Sequence, residues 1–234
     1  MTIRWIGQSG YILKTESTEI IIDPYLSDAV NRIANRPRMV KATIEPEKIE
    51  ADAVICTHDH IDHLDTDAIA LMNPRLRFIT TEKGKEILNS MGRENVTVLK
   101  PGESTKAGNF NITAVFAKHT TEAFGIIAGC NGKNLYFSGD TLFDERLFEI
   151  SHFKPDITFI CINGKLGNMN VNEAILTAEK IGAAVNIPNH YGMFASNTED
   201  PGLFSGRIRG GRTLEYNRSY KLEEIESSHL TDSF

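Results

Sequence analysis

The segment Thr57–His63 constrains this chain more than any other part of its sequence. It reads Thr-His-Asp-His-Ile-Asp-His, so three histidines and two aspartates fall within six consecutive positions. The segment directly follows the apolar run Ala53–Cys56, which predicts a buried strand. Imidazole nitrogens and carboxylate oxygens bind divalent cations such as zinc or manganese. A lone loop histidine or aspartate is usually only solvated, but this many at the end of one strand indicate a metal site.

Length and composition fit a soluble globular enzyme. The chain has 234 residues, of which 41% are hydrophobic, so it can bury a full core in one large domain or two small ones. We find neither a signal-peptide pattern at the start nor an apolar stretch long enough to span a membrane, and we therefore expect a cytoplasmic protein without a membrane partner. Cys56, Cys130 and Cys161 lie singly in apolar runs, which predicts buried reduced thiols.

The net charge of -6 argues against a general nucleic-acid-binding role, because phosphate contacts normally require a basic face. One segment, Arg32–Lys41, is locally basic: it contains Arg32, Arg36, Arg38 and Lys41 and no acidic residue. It is either a solvated surface loop or an anion-binding lip over the active site that suits a phosphorylated or carboxylated substrate.

Hydrophobic periodicity predicts strands early in the chain and alternating helices and strands later. The predicted strands are Ile3–Ile6, Tyr11–Lys14, Glu19–Ile22, Asp52–Cys56, Arg77–Thr80, Val96–Leu99, Phe110–Phe116, Gly125–Gly129, Asn134–Phe137, Ile157–Ile162 and Ala184–Ile187, with a type I′ turn at Asn131-Gly132. The predicted helices are Asp65–Met72, Glu82–Met91, Glu145–His152 and Asn172–Ile181. The order forms two similar halves, roughly 1–115 and 116–234, and predicts a single α/β (α+β) domain, a four-layer αββα sandwich.

Further candidate ligands follow other predicted strands. His119 follows Thr113–Ala117, His190 follows Val185–Asn189, and Asp140 follows Asn134–Phe137 in a Ser-Gly-Asp-Thr turn. Asp23 occupies a similar position at the end of an early strand. Side chains that leave a sheet at strand ends are well placed to meet at one site.

The series Thr-His-x-His-x-Asp-His at 57–63, His119, Gly139-Asp140-Thr141 and His190 resembles the metallo-β-lactamase-fold hydrolases. The resemblance spans about Asp23 to His190. Within that superfamily, the segments Asp23–Asp28, Gly167–Asn170 and Ile187–Phe194 are similar to the branch that contains L-ascorbate-6-phosphate lactonase. This chain is shorter than those lactonases, so the regions that shape their substrate pocket can differ here.

The resemblance implies a binuclear metal centre. His58, His60 and His119 would hold one divalent cation, Asp62, His63 and His190 a second, and Asp140 would bridge them. Asp62, Asp140 and His190 would be the catalytic residues, and Asp23 would orient a ligand histidine. The ligand set suits zinc or manganese, and iron also fits. Asp140 replaces the cysteine of zinc β-lactamases, and His60 replaces the glutamate of diiron flavoproteins, so neither of those functions is expected.

For the substrate, the resemblance implies a small lactone or ester, anionic or phosphorylated, that is attacked by a metal-activated hydroxide. Loop residues near the predicted ligands are candidate substrate contacts, although such residues often serve only a turn or the solvent. These candidates are Asn163, Lys165, Asn168, Tyr191, Asn197, Arg36 and Arg38.

Three classes of function remain open at this point. The first is the metal-dependent hydrolase of a small molecule, and the second is a phosphodiesterase or nuclease with the same metal core. The third is a non-catalytic binding protein, which is disfavoured because every ligand position of the series is present. The sequence leaves open whether the protein forms a homo-oligomer.

Overall fold

Two β-sheets packed face to face form the centre of the computed structural model, which describes residues 1–227. The first sheet has the strand order β13-β1-β2-β3-β4-β5-β6, and the second has the order β12-β11-β10-β9-β8-β7. The strands are β1 (Thr2–Gly7), β2 (Gly10–Lys14), β3 (Glu19–Ile22), β4 (Ala53–Ile55), β5 (Phe78–Thr80), β6 (Val96–Val98), β7 (Ser104–Ala107), β8 (Phe110–Phe116), β9 (Phe124–Cys130), β10 (Lys133–Phe137), β11 (Ile157–Cys161), β12 (Val185–Asn189) and β13 (Ser219–Lys221).

Within residues 1–227, six α-helices and two 3₁₀ helices lie among these strands. The α-helices are α1 (Ala29–Ala34), α2 (Thr66–Leu71), α3 (Glu82–Ser90), α4 (Val171–Ile181), α5 (Gly202–Ser205) and α6 (Leu222–Ser227), and the 3₁₀ helices are Pro46–Lys48 and Glu145–Phe153. Helix α4 begins with a capping box, in which the Asn170 side chain accepts from the backbone of Glu173 while the Glu173 side chain accepts from the backbone of Asn170. It ends at Gly182, whose φ of +78° favours glycine.

The apolar runs of the first sheet are continuous because both of its faces are buried. Along β4, Ala53 and Ile55 belong to the large core cluster that includes the second sheet, whereas Val54 belongs to a cluster with Ile69 of α2 and Leu88 of α3. On the other side of the molecule, α4 connects the parallel strands β11 and β12 and covers the second sheet. The result is the predicted αββα arrangement, and the fold class is confirmed.

Strand direction brings the predicted ligands to one edge of the sandwich. Strands β3 to β6 are parallel in the first sheet, and in the second sheet β8 runs in the same direction as β10, β11 and β12 because β9 is antiparallel to both of its neighbours. The carboxyl ends of β4, β8, β10 and β12 are therefore the points from which the ligand loops emerge. At this edge the two sheets are joined by an isolated bridge between His58 and Ala123.

Several sequence predictions differ from the structure in detail. The helix predicted at Glu145–His152 is a 3₁₀ helix that spans Glu145–Phe153. The change of sheet falls between β6 and β7, before the predicted division of the halves near residue 115, and β13 returns to pair with β1. Helices α1 and α6 and strands β7 and β13 were not predicted, because all four are short and lack a clear apolar period.

Two local predictions are confirmed. Asn131 and Gly132 have φ values of +52° and +75°, as a type I′ turn between β9 and β10 requires. Cys56, Cys130 and Cys161 are all buried free thiols. In the region that the structure describes, no helix is both long and apolar enough to cross a membrane.

Candidate metal centre

All seven predicted ligands meet at the strand-end edge. They form two groups, within each of which one nitrogen or oxygen atom per residue lies within 4.8 Å of the others. We call His58, His60 and His119 the imidazole group, and Asp62, His63 and His190 the carboxylate group. Asp140 lies between them.

Asp140 faces a different group with each of its oxygens. Its Oδ2 lies 4.0 Å from His58 Nε2 and 3.9 Å from His119 Nε2. Its Oδ1 lies 3.2 Å from both His63 Nε2 and His190 Nε2. A single buried carboxylate thus has one oxygen available to each group. Gly139 makes this placement possible, because its φ of +56° is left-handed and a side chain there would meet Thr57.

Each group is compact in itself. In the imidazole group, His60 Nδ1 lies 3.1 Å from His119 Nε2. In the carboxylate group, Asp62 Oδ2 lies 3.5 Å from His190 Nε2 and 3.8 Å from His63 Nε2. Nitrogen and oxygen atoms at these separations converge on common points, as ligand atoms of one cation do.

Unpartnered polar atoms show that the cluster suits a metal ion. His58 Nε2, His63 Nε2 and Asp140 Oδ1 are buried and have no hydrogen-bond partner among residues 1–227. Buried polar atoms are normally paired, so three unpaired atoms in one cluster require an explanation. Divalent cations that take nitrogen and oxygen ligands would satisfy all of these atoms, and the residues therefore fit the implied metal.

Asp23 and Thr57 fix the orientation of two histidines. Asp23 Oδ2 lies 2.8 Å from His63 Nδ1 and also accepts from Thr57 Oγ1 at 2.8 Å, and Asp23 Oδ1 accepts from the Thr57 backbone N–H at 2.7 Å. Thr57 Oγ1 in turn lies 3.1 Å from His58 Nδ1. With both Nδ1 atoms occupied in this way, His63 and His58 present Nε2 to the cluster.

His119 is oriented by a backbone carbonyl. Its Nδ1 lies 3.0 Å from Gly167 O, which leaves Nε2 facing the cluster. A Cβ atom at residue 167 would lie 2.8 Å from the His119 ring, and φ there is +91°, so the close approach requires glycine. The sequence does not indicate this role for Gly167, since a carbonyl contact between distant segments leaves no local signal.

The two groups differ in charge. Burial lowers the pKa of His58 well below its usual value and also lowers the pKa of His119. Burial also acts to lower the pKa values of His63 and His190, but nearby carboxylates outweigh this effect. Asp140, Asp23 and Asp62 raise the pKa of His63. Asp140 and Asp62 raise the pKa of His190 to about 9. Correspondingly, His63 and His190 hold the pKa values of Asp62 and Asp140 below their usual range against the effect of burial.

Asp59 lies within the motif but outside both ligand groups. Its Oδ2 pairs with Lys83 Nζ at 2.7 Å, and its Oδ1 accepts from Thr121 Oγ1 at 2.7 Å. These bonds tie the ligand loop to α3 and to the loop after β8.

The predicted substrate residues 163, 165, 168 and 197 lie together. Asn163 Nδ2 donates to Asn197 Oδ1 at 2.7 Å and to Lys165 O at 3.2 Å, and the Lys165 ammonium lies 3.4 Å from Ser196 O. Both side-chain polar atoms of Asn168 are buried without a hydrogen-bond partner in the described part of the chain. Asn168 adjoins Gly167, which contacts His119, so this polar cluster borders the imidazole group.

The other predicted substrate contacts are placed differently. Tyr191 is 7% exposed, and its ring packs 4.7 Å from that of Trp5, which is a core contact. Arg38 stacks over Tyr25 and donates to the carbonyls of Ser27 and Val40. Arg36 is half-buried in the same loop, which is joined to the segment after His190 by a hydrogen bond from Met39 N to Met193 O.

Gln8 is a site residue that the sequence did not indicate. Its Nε2 donates to Asp62 Oδ2 at 2.8 Å and lies 3.1 Å from His190 Nε2. The sequence of residues 7–10, Gly-Gln-Ser-Gly, indicates only a turn between two strands. Gln8, Asp23 and His190 all have positive φ values, +50°, +43° and +62°. Such backbone strain in non-glycine residues tends to occur at functional sites.

Comparison with known proteins shows the family of the chain. The family model of the beta-lactamase superfamily domain matches residues 18–191. A UPF0173 metal-dependent hydrolase of Methanosphaera stadtmanae is 30% identical over 227 residues, which cover 89% of this chain and 91% of the relative. The chain therefore belongs to the beta-lactamase superfamily. Within it, the chain is a member of the UPF0173 family of metal-dependent hydrolases.

Solved structures show the same fold. Igni18, a metallo hydrolase from Ignicoccus hospitalis, aligns with a TM-score of 0.77 and 24% identity over 94% of this chain and 98% of its own. An isothiocyanate hydrolase from Delia radicum gut bacteria aligns with a TM-score of 0.79 and 22% identity over 94% of this chain and 99% of its own. At these identities the likeness concerns the fold.

Proposed function

We propose that the protein uses a two-cation centre to hydrolyse a small anionic or phosphorylated lactone or ester. The observation that carries the proposal is the position of Asp140, which has one oxygen toward each ligand group. A carboxylate placed in this way is suited to link two cations. The cytoplasm is the proposed site of the reaction.

The imidazole group with Asp140 Oδ2 would hold one cation, and the carboxylate group with Asp140 Oδ1 the other. When bound, two such cations would lower the pKa of a shared water and would stabilise negative charge on a substrate oxygen. The nitrogen-rich imidazole group favours zinc, and the mixed carboxylate group accepts zinc, manganese or iron.

The protein's own residues prepare the centre for this chemistry. Asp62 and Asp140 supply negative charge that would offset the cations, and the backbone N–H of His190 donates to Gln8 O, which joins its loop to the turn after β1. Asp23 would keep the neutral Nε2 of His63 directed at the cation. Because these groups are fixed before substrate binds, little reorganisation is required during the reaction.

Polar groups beside the centre are suited to an anionic substrate. The unpaired amide of Asn168 and the ammonium of Lys165 lie on the side of the imidazole group. The basic segment Arg32–Lys41 carries a surface cavity of about 500 Å³, which is lined by Asp28, Arg38 and Lys41 among others. Arg38 and Lys41 would provide a second place for a phosphate or carboxylate, and Arg36 lies in the same segment. Because the ring of Tyr191 packs against Trp5, we expect Tyr191 to support the loop after His190 rather than to contact the substrate.

The test begins with protein purified without added ions and analysed for bound metal. The protein is then assayed against aldonolactones with and without a phosphate group, simple esters, phosphodiesters, phosphomonoesters and an isothiocyanate. We expect about two cations per chain and the highest kcat/KM for a phosphorylated lactone. Turnover of phosphodiesters without lactones would instead favour the phosphodiesterase alternative, and metal binding without any turnover would favour a binding protein.

A further inference from the structure

Gln8 is the only glutamine in the chain, and the fold holds it in an unfavourable backbone conformation at the metal site. It lies in the tight turn between β1 and β2, its side chain is fully buried, and its φ is +50°. A non-glycine residue in this region costs conformational energy, which surrounding contacts must offset.

Those contacts involve the backbone of Gln8 and not its side chain. Gln8 O accepts from Trp5 Nε1 at 3.0 Å and from His190 N at 3.3 Å. The turn is therefore fixed independently of the side chain, and it joins residue 8 directly to the ligand His190. The carboxamide is free to serve another purpose.

The end of the carboxamide lies at the spacing expected of a ligand. Its Nε2 is 2.8 Å from Asp62 Oδ2 and 3.1 Å from His190 Nε2, the two atoms that these residues direct at the carboxylate-group cation. Two ligand atoms about 2.1 Å from one cation lie roughly 3.0–3.4 Å apart at octahedral and tetrahedral angles. The distance to His190 falls in this range, and the distance to Asp62 is the shorter one of an N–H···O hydrogen bond. The other end of the amide, Oε1, is buried and has no partner among residues 1–227.

We propose that Gln8 is a further ligand of the cation held by Asp62, His63 and His190. The inference rests on the proposed function, since it presupposes that this cation binds. A half-turn about the Cγ–Cδ bond exchanges the two ends of the amide, which have nearly the same shape. This rotation would place Oε1, a neutral oxygen ligand, at the present position of Nε2. Oε1, which is otherwise unpaired, would then have the cation as its partner.

The same side chain thus has two roles. Without the cation, Nε2 donates to Asp62 and holds this carboxylate in place. With the cation, the amide hydrogens would point at a positive charge, whereas Oε1 would be attracted to it. The alternative is that Nε2 always remains a donor to Asp62 and never yields to Oε1.

Three substitutions at residue 8 separate these alternatives. Q8L removes both polar ends at similar size, Q8N keeps an amide that is too short to reach and tolerates the left-handed backbone, and Q8E keeps an oxygen but has no N–H donor. Binding of Zn²⁺ and Co²⁺ is measured by calorimetry, and thermal unfolding of the metal-free variants checks folding. We call the cation of the imidazole group the first cation and that of the carboxylate group the second. Binding of the first cation serves as the internal control.

We expect Q8L and Q8N to weaken the second cation by at least tenfold while the first binds as in wild type. Q8E should bind the second cation at least as tightly as wild type. If Q8E is as weak as Q8L, Gln8 acts only as a donor and the proposal is overturned. It is also overturned if Q8L and Q8N bind the second cation as wild type does.

The single glutamine allows a second readout in the unaltered protein. In a tag-free chain labelled with ¹⁵N-glutamine, one pair of side-chain amide signals arises from Gln8. We expect the second equivalent of paramagnetic Co²⁺ to shift or broaden this pair strongly, and an unchanged pair would contradict the proposal. A wild-type protein that binds no second cation would instead refute the two-cation function, so the two failures are distinguishable.

Discussion

The imidazole group and the carboxylate group lie side by side, but the pKa values of their histidines are shifted in opposite directions. In the imidazole group, burial lowers the pKa values of His58 and His119, so these two rings are neutral. In the carboxylate group, Asp62 and Asp140 raise the pKa of His190 to about 9, so a proton on the ring takes the place of the cation's charge.

This difference implies that the two cations bind by different exchanges. A cation entering the imidazole group meets the rings of His58 and His119, which are already neutral. A cation entering the carboxylate group must displace protons from imidazolium rings, because only the neutral ring coordinates a metal. We therefore expect the imidazole group to fill first at neutral pH.

The largest effect should come from removing the carboxylate that both groups share. D140A leaves each group without one ligand. It also removes the negative charge that lies between the histidines of the two groups. We expect kcat/KM to fall by at least about 1,000-fold and the metal content to fall below one per chain. Metal analysis and the hydrolysis assay check this, and full activity in D140A would refute the proposed mechanism.

Single substitutions in each group should separate the two sites. H119A should lose the first cation and H190A the second, each leaving about one per chain. Because only H190A removes a proton-carrying ring, it should also reduce the number of protons released on metal binding. Calorimetry in two buffers of different ionisation enthalpy measures both quantities, and equal proton release from the two variants would contradict the comparison.

The pH dependence of metal affinity tests the charge difference directly. As the pH rises from 7 to 9, the second cation should bind more tightly by roughly tenfold per pH unit for each proton displaced, while the first changes little. In the metal-free protein, the stability contributed by His190 should be present below pH 6.5 and lost as the pH rises through about 9. Titrations and chemical unfolding at several pH values give these curves.

A smaller effect is expected from the residue behind His63. D23N keeps the shape of the side chain but removes the charge that holds His63 Nδ1–H and accepts from Thr57. We expect a loss of about 10- to 100-fold in affinity for the second cation, with less effect on the first. Loss of the first cation alone would show that Asp23 acts chiefly through Thr57 and His58.

The smallest effect should come from the motif aspartate that faces away. D59N disturbs only the bonds to Lys83 and Thr121, so metal content should stay at the wild-type value and kcat/KM should change by less than about threefold. D59N is therefore the matched control for substitutions of Asp62. A lost cation in D59N would mean that the loop anchor, and not the ligand alone, defines the site.

Much of the fold and part of the site followed from local patterns. Because both faces of the first sheet are buried, its strands appear as apolar runs such as Ala53–Cys56, and their ends could be located within a few residues. Polar residues directly after such runs, including His119, Asp140 and His190, were expected to share an edge. The short elements α1, β7 and β13 were missed because tertiary contacts stabilise them more than their own sequence does.

The sequence by itself determined the kinds of ligand atom and their order along the chain, since residue chemistry and strand ends are local properties. Only the tertiary structure showed the contacts that surround these ligands: Asp59 pairs with Lys83, Asp23 accepts from Thr57, and Gly167 O orients His119. It also brought Gln8 to His190, 182 positions apart. Such contacts depend on how the two sheets pack, because packing brings together segments that are far apart in the sequence and share no local pattern.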